Sequence, residues 1–451
     1  MKLEVERMQY GVGQGCFHTQ RISVGRIEED LYKEQNQFDF VYDCGSYSVH
    51  VGTVSPLERA IDHYRPKRSV AGRARQTVDA LFVSHFHIDH INGIEQLCKQ
   101  KKVLRVFVPF YTPEEVLTVL VDEAERLIAA SDDFIIWLLT ELRNLSLRIN
   151  MFGCPTIYVL PDGRQDIGPV VGPEIPSFGE NIVVDPNVLL TKTMISGQSL
   201  RWKQREREIW EVKVWHFKPV IVKPTEWQLA TEKLKEALGD ALTNNGTVDE
   251  AVAKKVRDAV GEIYKGMSNA SETGDKNHNL VSMCVYSGPV PECGIEGEVS
   301  RMNAPNNKTA EIHFSARLSA AAGSSGHFYA RKFDRSNAHS EQLGWLGTGD
   351  AMLARQDVWD EFNSKIDWDN SRAELVSTIL MPHHGSMSGK NYNPDLVRKH
   401  QPLAVFSAGA FSKHGHPATA VLSDVAKHGS EIVSVTEYTR PGVFELVRAD
   451  T

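Results

Sequence analysis

Three imidazoles and a carboxylate fall within six positions at His85-Phe86-His87-Ile88-Asp89-His90. The chain has 17 histidines in 451 residues, so this density stands well above background. Imidazoles two apart on a loop leave it on the same side and grip one metal ion. The adjacent Asp89-His90 pair points elsewhere and can grip a second. Imidazole nitrogen and carboxylate oxygen suit zinc or manganese equally. Two such ions side by side would acidify a water and clamp the centre it attacks. The plain alternative is a polar loop that happens to be rich in histidine.

That chemistry needs strands to carry it. The apolar run Val78-Asp79-Ala80-Leu81-Phe82-Val83 has strand length, so the cluster is expected on the loop leaving a buried strand. Gly93 and Ile94-Glu95-Gln96-Leu97 then suggest a short helix. Similar strand-end clusters recur downstream: Gly347-Thr348-Gly349-Asp350, Pro382-His383-His384-Gly385-Ser386, and His414-Gly415-His416-Pro417 after Leu403-Ala404-Val405-Phe406-Ser407. These clusters meet only if their strands share one edge. That predicts a single domain over 1–451, with insertions near 110–209, 225–275 and 288–342.

The pattern His85-x-His87-x-Asp89-His90 resembles the metal signature of the metallo-β-lactamase fold superfamily. The resemblance implies an α/β fold, a four-layer αβ/βα sandwich with one or two divalent ions at its edge. It makes Asp350 the carboxylate shared by both ions, which suits a group with two oxygens. It gives His384 as a ligand beside Asp89 and His90, and places His278 about where a third ligand joins His85 and His87. Asp43, ending the strand Phe38-Asp39-Phe40-Val41-Tyr42, is expected to buttress the metal loop without binding metal. Within the superfamily, Val12-Gly13-Gln14-Gly15, the run from Asn277 into Leu280-Val281, and Pro382-His383-His384-Gly385-Ser386 look most like the nuclease domain of ComEC-type DNA-uptake proteins. Cys16 stands where that pattern has Asp, so that acid's role is not carried over. The likeness gives His383 a supporting catalytic role and His416 a phosphate contact or proton transfer to the leaving oxygen. The hydroxyls of Ser386 and Ser388 are offered to phosphate oxygens, with turn capping as the alternative.

The remaining chain sets bounds. Charged residues are 24% and apolar residues 41%, as in ordinary globular proteins. No apolar run reaches the ~18 residues of a bilayer span, and no apolar signal core follows Met1, so a cytosolic protein is expected. Six scattered cysteines without a Cys-x-x-Cys argue against a disulfide framework or a four-cysteine zinc site. A net charge of −8 gives no global attraction to nucleic acid, leaving local patches such as Arg65 to Arg75 and Arg201 to Arg207. Helix starts are read at Ser55-Pro56-Leu57-Glu58, Thr112-Pro113-Glu114-Glu115, Thr225 and Thr247. Strands are read at Val103 to Val108, at Trp210 to Val214, and twice over 431–448. Segments 160–200 and 266–279 are read as irregular.

Together these features predict a dinuclear metal hydrolase acting on a nucleic acid or nucleotide phosphodiester. Two other readings stand beside it. One is hydrolysis of a non-phosphate ester, amide or thioester. The other is a partner-gated subunit of a multi-protein system, for instance in defence, with the insertions meeting the protein partner.

Overall fold

A computed structural model describes residues 2–25, 37–48, 54–66, 76–109, 132, 135–136, 150–151, 154–160, 182–184, 193–196, 200–202, 215–222, 225–239, 248–270, 281–289, 295–303, 329–330, 342–387, 390–410, 415–439 and 441–450. Mixed α/β structure is built on two large sheets. The first runs Thr193–Ile195, Cys154–Leu160, Val106–Pro109, Ala80–Phe82, Gln37–Ser46, Gly15–Gly25, Lys2–Tyr10, Gly442–Asp450, Glu296–Asn303, Tyr329–Ala330. The second runs Ile182–Val184, Leu200–Trp202, Trp215–Val222, Ser282–Pro289, Gly344–Gly347, Val376–Leu380, Leu403–Ser407, Ile432–Val435. Lys2–Tyr10 pairs antiparallel with Gly442–Asp450, Lys2 facing Asp450. Among the described residues no helix is long and apolar enough to cross a membrane.

Strand alternation sorts the side chains into three apolar clusters. Phe40, Tyr42, Phe82 and Phe107 of the first sheet meet Met283, Trp345, Leu380 and Val405 of the second. Their neighbours point the other way. Val41, Leu81, Val106 and Val108 pack with Leu57, Ile61, Ile94 and Leu97, on the helices Pro56–His63 and Ile94–Gln100. Leu346, Ile379 and Phe406 pack with Val358, Phe362, Val421 and Val425, on Gln356–Ile366 and Thr419–Lys427. Each such side chain withdrawn from water contributes roughly 1.5–3 kcal/mol. The central strands are buried on both faces, which is why Val376–Leu380 and Leu403–Ser407 carry no exposed residue.

Two polar features lock this frame. Ser55 Oγ accepts the Glu58 N–H at 3.0 Å while Glu58 accepts the Ser55 N–H at 2.9 Å, the capping box that starts Pro56–His63. Between the sheets, buried Glu445 accepts from Arg301 Nε at 2.7 Å and from Thr378 Oγ1 at 2.7 Å, and pairs with Arg7 at 3.5 Å. Burial pulls the Arg7 guanidinium down to about 10, though Glu445 pulls it up. Burial pushes the Glu445 carboxyl up, but Arg301 and Arg7 outweigh it and hold it below 4.5.

Several expected elements fall elsewhere. The run before the histidines splits into Thr77–Val78 and Ala80–Phe82, which join different sheets. Asp79 separates them, its carboxylate accepting the Asp39 N–H at 2.8 Å. Lys102–Val103 and Val106–Pro109 split in the same way. The strand expected at 210–214 lies outside the described residues, and the strand found is Trp215–Val222. Helix Glu250–Ala270 runs into the segment read as loop from 266. Short strands Ile182–Val184, Thr193–Ile195 and Leu200–Trp202 appear where irregular chain was expected. Glu296–Asn303, inside the expected insertion 288–342, belongs to the first sheet beside Gly442–Asp450. Gln356–Ile366 was not read from sequence, although Val358, Trp359, Phe362 and Ile366 form its buried face. The helix expected from Thr112 lies outside the described residues.

Candidate metal centre

The histidine loop leaves Ala80–Phe82, which lies parallel to Gln37–Ser46. In the second sheet Gly344–Gly347, Val376–Leu380 and Leu403–Ser407 are also mutually parallel. Parallel neighbours end at the same edge, so Asp350, His383, His384 and the Ser407 carbonyl gather there. The first of three bonds ties the two sheets together, and the other two order the second sheet's own edge. Met283 N–H donates to the Ser84 carbonyl at 2.8 Å, Asp350 N–H to Ser282 Oγ at 3.1 Å, and His383 N–H to the Gly349 carbonyl at 2.9 Å. The loop is not irregular throughout, since Ile88–Ile91 forms one helical turn. A side chain on Gly45 would collide with the backbone of Asp89 and His90, so glycine there permits the close approach. Asp43, His383 and His384 all have left-handed backbones (φ 55, 47 and 56), a strain that functional sites concentrate.

Four of the imidazoles, those of His85, His90, His383 and His384, are oriented by a bond at Nδ1. Asp43 accepts the Ser84 N–H, the Ser84 hydroxyl and His90 Nδ1–H at 2.7, 2.7 and 2.8 Å. Because that hydroxyl proton goes to Asp43, Ser84 Oγ accepts from His85 Nδ1 at 2.9 Å. His384 Nδ1 donates to the Ser407 carbonyl at 2.6 Å, and His383 Nδ1 to Asn391 Oδ1 at 2.9 Å. In every neutral ring Nε2 is then left as a bare lone pair. All four face carboxylate oxygens. His85 and His383 lie 3.5 and 3.6 Å from Asp350 Oδ2, His90 lies 3.4 Å from Asp350 Oδ1, and His384 lies 3.2 Å from Asp89 Oδ2.

Lone pairs facing carboxylates repel unless a cation stands between them. Among the described residues His85 Nε2, His90 Nε2 and Asp89 Oδ1 are buried without a hydrogen bond. Buried polar atoms of this kind are expensive to leave unmatched, so the donor set fits divalent ions. Candidate ligand atoms of His85, His87 and Asp350 lie within 4.8 Å of one another, as do those of Asp89, His90 and His384. Burial and mutual charge also shift these groups strongly. Burial lowers His85 well below 6.5, helped by charge on His90. Burial also opposes charge on His90, but Asp350, Asp43 and Asp89 raise it well above 6.5. Asp350 sits well below its ordinary value, where His383, His90 and His85 outweigh burial.

The histidine loop also lies inside a recognisable sequence segment. Residues 55–142 match a model of the beta-lactamase superfamily domain. This supports the metallo-β-lactamase fold superfamily, whose members are typically metal-dependent hydrolases. The match contains His85, His87, Asp89 and His90 and ends before Asp350 and His384. No curated protein matches the chain.

Other expected site residues divide. His87, His383 and His416 are half-buried and form the accessible side of the cluster, with the His416 ring 5.4 Å from that of His383. Ser386 is fully buried, and its N–H donates to the His383 carbonyl at 2.9 Å. His278 and Ser388 lie outside the described residues, as do Arg68, Arg73 and Arg75. Sequence reasoning missed Asn391, fully buried, whose Nδ2 donates to the Asp350 carbonyl at 2.8 Å while its Oδ1 holds His383. No local pattern marks it. Ser84, directly before His85, carries no role in the sequence reading, yet its hydroxyl links Asp43 to His85.

Proposed function

We propose that the chain is a dinuclear metal-dependent phosphodiesterase, with nucleic acid as its substrate class. The observation that carries the metal reading is the presentation of Nε2 by His85, His90 and His384 to two buried carboxylates. His85, His87 and Asp350 would hold one ion, and Asp89, His90 and His384 the other, with Asp350 shared. The three apolar clusters support a reading of the fold as the four-layer αβ/βα sandwich. Zinc and manganese both suit this donor set.

Bound there, two divalent ions supply Lewis acidity and an acidified water. The chain does the rest. Asp43 and Ser84 fix the rings of His90 and His85, Ser407 fixes His384, and Asn391 fixes His383. The half-buried His87, His383 and His416 border the approach, so a substrate enters across them. His416, its ring 5.4 Å from that of His383, would pass a proton to the leaving oxygen. The phosphodiester preference rests on the likeness of His383-His384-Gly385-Ser386 and His416-Pro417 to ComEC-type nuclease domains.

A substrate panel tests this directly. Single-stranded DNA, duplex DNA, RNA, a chromogenic phosphodiester, a lactam and a thioester are each incubated with protein loaded with manganese or zinc. Phosphodiester cleavage that disappears in Asp350→Ala is expected. Thioester or lactam hydrolysis without phosphodiester cleavage would overturn the substrate class and favour the non-phosphate reading.

A further inference from the structure

Away from the metal centre, two thiols that are distant in sequence touch. Cys154 Sγ lies 3.7 Å from Cys98 Sγ across a separation of 56 residues. Cys98 is half-buried on the outer helix Ile94–Gln100, whereas Cys154 is buried at the start of Cys154–Leu160. Both pack in the cluster formed by Leu57, Ile61 and Leu97. A disulfide needs its sulfurs about 2.0 Å apart, so side-chain rotation has under about 2 Å to close.

We propose that Cys98 and Cys154 are a covalent modification site, oxidised to an intramolecular disulfide by a small-molecule disulfide such as oxidised glutathione. The Cys98 thiolate, the more accessible, attacks one sulfur of the reagent and expels one thiol. The Cys154 thiolate then attacks Cys98 Sγ in the mixed disulfide and expels the second. Two protein thiols lose two protons and two electrons, and the reagent is reduced to two thiols. The other described cysteines are poor competitors. Cys16, Cys44 and Cys284 are buried, and the thiols of Cys16 and Cys284 bond to the carbonyls of Tyr42 and Thr348. The bridge would fasten the helix that follows the histidine loop to a strand of the first sheet. Helix Ile94–Gln100 begins at Gly93, whose N–H donates to the Cys44 carbonyl beside Asp43.

Oxidised glutathione is added to the folded full chain, acid-quenched, and read by intact mass and non-reducing peptide mapping. Wild type should lose the mass of two hydrogen atoms, yield a cross-linked Cys98/Cys154 peptide, melt at a higher temperature, and revert with dithiothreitol. Cys154→Ser should instead stop at one glutathionyl adduct on Cys98, and Cys98→Ser should form no cross-link. A stable glutathionyl adduct on Cys98 of wild type would overturn the proposal. So would a bridge to another cysteine, or unreacted Cys98 and Cys154 in protein of native melting temperature.

Discussion

Asp43 Oδ2 accepts the His90 Nδ1–H at 2.8 Å, and through the Ser84 hydroxyl the same carboxylate sets the ring of His85. One acid therefore orients a histidine from each candidate ligand group without facing an ion itself. Asp43→Ala should weaken metal affinity about 10–100-fold, the usual effect of losing such support. Titration against a chromophoric chelator checks this, with circular dichroism to confirm folding. Unchanged affinity in a folded variant would reduce Asp43 to a structural acid.

Ligands assembled only in the native state make metal binding a stabilising force. Chelator-stripped protein should melt lower than protein reloaded with zinc or manganese. At an ion concentration of 100 times Kd the gain is about 2.7 kcal/mol. Asp350→Ala should abolish the shift. If that variant retains both ions in elemental analysis, Asp350 is not shared between them.

Adjacent histidines should separate in their effects. His384→Ala should lose one ion, because its Nε2 meets Asp89 inside a candidate ligand group. His383→Ala should keep its metal and lose turnover, and Asn391→Ala should reproduce that loss more weakly by freeing the ring. Elemental analysis beside phosphodiester turnover decides it, and loss of metal from His383→Ala alone would reverse the two roles.

The Glu445 network makes a prediction about acid. Folding holds this carboxyl below 4.5, so the unfolded chain binds more protons in the interval beneath that value. Its stabilisation is complete above pH 4.5 and is lost as pH falls through the folded-state value. Glu445→Gln leaves two buried guanidinium groups facing a neutral amide and should cost about 3–5 kcal/mol at pH 7. Urea melts should show the gap between wild type and variant narrowing below pH 4.5. A gap independent of pH would assign the loss to packing.

Sequence made the chemistry more legible than the scaffold. His85, His87, Asp89 and His90 declare themselves because ligand residue types crowd a short stretch, and Asp350 and His384 because each follows an apolar strand. Asn391 stayed hidden because its partners are backbone carbonyls and a ring, and such bonds leave no sequence pattern. The pairing of Arg7 with Glu445 leaves no local signal, since 438 residues separate them. Asp79 breaks an apparently continuous strand through two bonds to the Asp39 backbone, an event invisible to hydrophobic periodicity.

The pairing of Lys2–Tyr10 with Gly442–Asp450 sets a timetable for synthesis. At ~5–20 residues per second, the ribosome needs roughly 20 to 90 seconds between these strands. Through that interval the early strand offers one open edge, the kind of surface that recruits foreign strands. Gly442–Asp450 then inserts between Lys2–Tyr10 and Glu296–Asn303 as the seam of the first sheet. The nascent chain must therefore be kept apart from its neighbours until that seam closes, and chaperone demand should track the time the edge stands open.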